Sequence, residues 1–172
     1  MHATALVTTA FALVGTLAIA EENPIPNPLI DYKAFLDNAV TVRDLRAKRR
    51  ISEADFLRMA AEPGTIIFDA RSDSKFAMLH VRGARHLSLP DVTGEELAKI
   101  IPNKSTRILI YCNNNFENEP KALPPKSVAA SLNLYTFNTL YSYGYTNVFE
   151  LGPLIDISKS RLSFEGTLIS QP

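Results

Sequence analysis

At 172 residues, 46% of them apolar, the chain is long enough for one ordinary domain plus a leader and too apolar to be generally disordered. Its 18 basic residues balance 18 acidic ones, and a net charge of zero argues against nucleic acid or an anionic membrane surface as the main partner. The single cysteine excludes an intramolecular disulfide.

Residues 1–20 carry no Lys, Arg, Asp or Glu, and the run from Ala5 to Ile19 is apolar apart from Thr8, Thr9, Gly15 and Thr16. Ala18-Ile19-Ala20 has the small-x-small pattern of a signal-peptidase site. We read 1–20 as a signal peptide cleaved after Ala20, so that the mature chain starts at Glu21 in the periplasm or outside the cell. The rival reading is an uncleaved anchor, for which the segment is short. No cysteine follows the apolar run, which excludes a lipoprotein. In an oxidising space an unpaired thiol is unusual, although a small buried apolar side chain is its bland explanation.

Residues 21–51 read as an extended linker and an N-terminal helix. Pro24, Pro26 and Pro28 stiffen the first part. Ile30 to Leu45 then reads as an amphipathic helix, with Leu29, Phe35, Leu36, Val40 and Leu45 as its apolar stripe. The basic cluster Arg43, Arg46, Lys48, Arg49 and Arg50 is either a solvated helix end favoured by the macrodipole or a docking patch for an acidic partner.

Residues 52–172 read as one domain. Ser52 caps a helix stopped at Glu62-Pro63-Gly64, and Thr65 to Asp69 is a buried strand. A short helix around Phe76 to Leu79, a turn from His80 to Arg85 and a strand from His86 to Leu89 come next. Thr93-Gly94-Glu95-Glu96 has capping-box spacing and opens a further helix. Ile108-Leu109-Ile110-Tyr111 is a run suited to a buried parallel strand, and it stops at Cys112. A loop that opens with three asparagines in a row and carries two acids and three prolines leads to a helix from about Pro125 to Tyr143, which Gly144 ends in the left-handed conformation. Asn147 to Leu151 is the last clear strand, and the tail reads as a weak helix with an extension. Strands alternating with helices predict an α/β fold, a mostly parallel sheet with helices on both faces.

Four segments in order carry a family resemblance: Phe68-Asp69-Ala70-Arg71, His80-Val81-Arg82-Gly83-Ala84, Ile108 to Cys112, and Gly144 to Gly152. Together they resemble the single-domain rhodanese-like (sulfurtransferase) family over about 52–157. The resemblance implies a five-stranded parallel sheet sandwiched between helices, with Cys112 as the catalytic residue that accepts sulfane sulfur as a persulfide. It implies a small sulfur donor (thiosulfate or a persulfide), a thiol or cyanide acceptor, and neither metal nor organic cofactor. A monomer is expected, with a protein partner as a further option and no membrane contact after cleavage.

The loop departs from that family. Active members commonly read Cys-x-x-Gly-x-Arg; here Asn115 and Glu117 stand at the Gly and Arg positions, and the loop is about seven residues longer. Asn113, Asn114, Asn115, Phe116, Glu117 and Lys126 are the candidates for contacting substrate, the asparagines replacing loop glycines because they tolerate left-handed backbone. Asp69 and Arg71 are the candidates for bracing the loop, as in the family, or else they pair only with each other. Glu117 and Glu119 are expected to disfavour a thiolate and repel an anionic donor, with Lys121 and Lys126 offsetting them. The competing function is a non-catalytic module whose Asn/Glu/Pro loop contacts a partner. A cysteine phosphatase or arsenate reductase needs arginine six positions after the cysteine, where Asn118 stands.

Overall fold

The structure, a computed structural model, describes residues 25–169; the expected signal peptide, its expected cleavage point and Glu21 lie outside the described residues. Residues 25–30 belong to a separate unit and end in a turn, where Asn27 accepts the Leu29 N–H through its side chain and the Ile30 N–H through its carbonyl.

The second unit starts with Asp31, whose carboxylate caps α1 (Tyr32–Ala47) by accepting the Ala34 N–H. In chain order follow β1 (Arg50–Ile51), α2 (Glu53–Ala60), β2 (Ile66–Asp69), α3 (Asp73–Met78), β3 (His80–Val81), β4 (Arg85–His86) and α4 (Gly94–Ile100). Then come β5 (Ile108–Tyr111), β6 (Phe116–Glu117), α5 (Leu132–Ser142), β7 (Val148–Leu151), β8 (Ile155–Asp156) and β9 (Phe164–Glu165). The five main strands run parallel in the order β1-β7-β5-β2-β4. This is the parallel sheet between helix layers that the alternation of strands and helices predicts, with the five strands that the resemblance implies.

All four residues of the central β5 are buried, and their alternation feeds two cores. Ile108 and Ile110 join Phe68, Leu97, Phe137, Leu140 and Val42 on the face covered by α1, α4 and α5. Leu109 and Tyr111 join Phe56, Leu79, Val81 and Leu162 on the face covered by α2, α3 and the tail.

The caps follow the sequence. Ser52 accepts the Asp55 N–H and Thr93 the Glu96 N–H, but Glu96 pairs with Lys99 and leaves the second half of the capping box unmade. Gly144 has φ +82°, and the Tyr145→Leu140 and Gly144→Tyr141 backbone bonds complete a Schellman motif after α5.

Three expectations fail on physical grounds. Most of the expected apolar stripe of α1 faces outward: Phe35, Leu36 and Val40 are exposed, and only its member Leu45 faces inward, together with Asn38, Ala39, Val42 and Arg46. A buried partner for Arg46 turns the helix this way (below). α5 begins at Leu132, not near Pro125, because the chain after Pro124-Pro125 stays extended and makes only a single turn of 3-10 helix at Val128–Ala130. The described part of the tail is mostly extended, and its only helical piece is a single turn of 3-10 helix at Ile157–Lys159. β8 pairs with β6, and β9 pairs antiparallel with β3, so the last residues clip two loops to the domain. Among the described residues, no helix is long and apolar enough to cross a membrane.

Candidate active site at the carboxyl end of the central strand

Cys112 follows β5 directly, at the carboxyl edge of the parallel sheet, where open α/β folds place their sites. Its side chain is 1% exposed, and Sγ lies 3.5 Å from the Ser131 hydroxyl at the amino end of α5. Cys112 lines a cavity of about 290 Å³ with Arg46, Arg50, Asn114, Asn115, Ser131, Asn133 and Glu150 among its walls.

The charged groups of that cavity come from distant parts of the chain. Glu150, 2% exposed on β7, receives both Nε and Nη2 of Arg46, and Nε of Arg50 lies 3.6 Å from its Oε1. Arg50 also donates to the Gly152 carbonyl at 2.8 Å. A buried carboxylate needs such a partner, and this is what draws Arg46 inward and sets the rotation of α1. The basic cluster is therefore neither simply solvated nor a free patch. Arg49 is also held, by the Thr146 carbonyl and over the Phe149 ring.

Each asparagine after Cys112 braces the loop through its side chain. Asn113 donates to the Pro124 carbonyl at 2.7 Å, and Asn114 exchanges hydrogen bonds with the Lys126 backbone at 2.8 and 3.1 Å. Asn115 accepts the Cys112 N–H at 2.8 Å and an Asn133 amide N–H at 3.0 Å, and donates to the Leu151 carbonyl at 2.7 Å. All three lie in a 3-10 turn, not in left-handed backbone; the one left-handed non-glycine residue among those described is Asn118, with φ +68°.

The candidate contact residues are thus not all brought together. Asn114 and Asn115 share the sulfur's cavity, whereas Asn113 and Lys126 line a second one of about 480 Å³. Phe116 is buried in the second core, edge-on to Tyr111 and Phe164. Glu117 is exposed on β6, opposite Asp156, and Glu119 accepts the Ala122 N–H. Neither acid is among the residues that line the cavity of Cys112. The reason is that the extra loop length folds inward, burying Ala122 and Leu123 beside Phe116.

Asp69 and Arg71 do brace the loop while also pairing with each other. Both are buried, with Arg71 Nη2 2.6 Å from Asp69 Oδ2. The guanidinium also donates to the carbonyls of Leu79 and of Ala122 in the loop. Tyr111 bridges the same network, donating its hydroxyl to Asp69 and accepting the Val81 N–H at 3.0 Å. Burial first, and then the Asp69 charge, holds the Tyr111 hydroxyl well above its ordinary value, so it remains a neutral donor. His80 opens β3 instead of lying in a turn, with its ring nitrogens on the Phe76 carbonyl and the Glu165 carboxylate.

Sequence reasoning missed Ser131, Asn133 and Glu150, and misread Arg46 and Arg50. One signal was available: Glu150 is an acid inside the apolar run Val148-Phe149-Glu150-Leu151 of a strand with both faces covered, which demands a basic partner. Among the described residues, no group of three or more His, Cys, Asp or Glu side chains is arranged to hold a metal ion.

The family model of the rhodanese-like domain matches residues 52–151. No curated protein sequence matches the chain. Among solved structures, the BH2092 protein of Bacillus halodurans is similar at 17% identity and a TM-score of 0.51, covering 77% of this chain and 88% of that one. The Alr3790 protein of Anabaena sp. is 22% identical with a TM-score of 0.49, covering 70% of this chain and 95% of its own. A rhodanese with anions from E. coli is 20% identical with a TM-score of 0.40, covering 59% and 98%.

Proposed function

This chain belongs to the rhodanese-like domain family, and from that premise we propose that it is an exported sulfurtransferase or persulfide carrier whose nucleophile is Cys112. The observation that carries this reading is the thiol at the end of the central strand, opening on a cavity with two guanidinium groups and the amino end of α5. Both features place positive potential where an anionic sulfur species has to sit. In the proposed step the Cys112 thiolate attacks the outer sulfur of the donor. The donor's S–S bond breaks, its electron pair leaves with sulfite or a thiolate, and Cys112 keeps the sulfur as a persulfide anion. A thiol or cyanide then takes that sulfur, and the thiolate is restored.

The mass of the purified mature protein after incubation with thiosulfate or an organic persulfide tests the proposal. We expect a gain of one sulfur atom that cyanide or dithiothreitol reverses and that Cys112→Ser abolishes without changing the fold. No gain with any donor would overturn it. The second reading, a partner-binding module, is favoured by one observation, the 1% exposure of the sulfur; it expects an unmodified thiol throughout. Export is proposed from residues 1–20 alone, and intact mass from an exporting host should place the mature amino terminus at Glu21. Full-length protein retained in the membrane would support the anchor instead.

A further inference from the structure

The family match starts at residue 52, yet Arg46 of α1 and Arg50 of β1 precede it, and they supply all the positive side chains in the sulfur's cavity. One carboxylate, Glu150, faces these two guanidinium groups, which leaves one positive charge to balance the Cys112 thiolate. Arg46, Arg50 and Leu134 also line a groove of about 530 Å³ between α1 and α5, whose walls include the exposed rings of Phe35 and Tyr135. Positive charge and apolar surface therefore run continuously from the sulfur into the groove.

We propose that Arg46 and Arg50 are the specificity-determining groups of this site, and that they select a singly charged organic sulfane donor whose apolar body lies in the α1–α5 groove. This rests on the sulfur-transfer reading above. With a thiosulfonate, R–SO2–S⁻, the Cys112 thiolate attacks the outer sulfur and the S–S bond breaks. The electron pair leaves on the sulfinate, R–SO2⁻, and Cys112 becomes the persulfide anion with no further oxidant or reductant. With Cys112 ionised the cavity has no net positive charge left, so dianionic thiosulfate brings in one more repulsive charge than a thiosulfonate, and it offers Phe35 and Tyr135 nothing to cover.

The test compares benzenethiosulfonate with thiosulfate in the full mature protein, following sulfur on Cys112 by mass and fitting KM and kcat. In parallel, unreactive benzenesulfonate is titrated into the Cys112→Ser protein by calorimetry. We expect benzenethiosulfonate to be preferred, and Arg50→Gln to raise its KM about tenfold or more, as the loss of a charge-assisted contact implies. Arg50→Lys should recover part of that loss, which guards against a folding artefact. Ala129→Trp, at an exposed position on the groove wall, should raise KM for benzenethiosulfonate alone. Unchanged kinetics and unchanged benzenesulfonate binding in Arg50→Gln would overturn the inference while leaving sulfur transfer standing. Arg50-dependent benzenesulfonate binding without transfer from any donor would support the anion site and sink the sulfur-transfer reading. Neither binding nor transfer would sink both.

Discussion

Asn115 sits where three segments meet: the end of β5 through the Cys112 N–H, the end of β7 through the Leu151 carbonyl, and α5 through Asn133. Its amide presents donor and acceptor at fixed spacing, which no other side chain of its size does. Asn115→Ala leaves a buried N–H and a buried carbonyl without partners, and should lower stability by about 1–3 kcal/mol. Urea unfolding measures this, and a change within error would mean that the turn holds without the amide. The three asparagines in a row did announce a special loop. Their task was not legible, because the left-handed position is fixed by where the chain reverses, at Asn118, and not by which residues tolerate it best. The Asp69–Arg71 pair was visible in the sequence, but its reach to the Ala122 carbonyl 51 residues away was not.

At the scale of elements, the ends were more legible than the faces. Ser52, Thr93 and Gly144 mark helix boundaries by local chemistry, and local chemistry is what a sequence carries. A Cβ on Gly144 would meet nothing within 4 Å, so Gly144→Ala costs backbone strain alone, about 1–2 kcal/mol at φ +82°. Thermal unfolding should show a destabilisation that Gly144→Asn largely spares; equal losses would mean that the αL position is not the cause. The inward face of α1 illustrates the opposite case. Its apolar spacing pointed to Phe35, Leu36 and Val40, but the ion pair of Arg46 with buried Glu150 turned the helix to the other side. An exposed apolar stripe on a bound helix is then a candidate surface, which is how Phe35 enters the groove beside the site.

For the whole molecule, the tail acts as a latch and its strength depends on pH. Ser158, through its hydroxyl and then its N–H, lowers the Asp156 carboxyl to about 2, against 3.8 for the ordinary group. Glu165 is lowered chiefly by the Gly83 N–H, with His80 contributing. Since the folded values lie below the unfolded ones, both contributions are full above the unfolded pKa and disappear as pH falls through the folded one. Asp156→Asn should therefore lower the unfolding midpoint at neutral pH, and the gap to the parent should close between about pH 4 and pH 2. A gap independent of pH would assign the effect to packing.

The sequence by itself determined the α/β class, the order of the main helices and of four of the five main strands (β1 at Arg50–Ile51 was not legible), and the position of Cys112 at the end of a buried strand. Each of these follows from local patterns: apolar runs, caps, and turns at fixed offsets. Only the tertiary structure decided what surrounds the sulfur. Arg46, Arg50 and Glu150 converge because β1 and β7 are neighbours in the sheet although about one hundred residues separate them. Glu117 and Glu119 stand a few positions from Cys112 and are absent from its cavity, because Phe116, Ala122 and Leu123 fold into the core and turn that part of the loop away. Proximity along the chain sets which residues are tethered near a thiol; burial of apolar surface sets which of them face it.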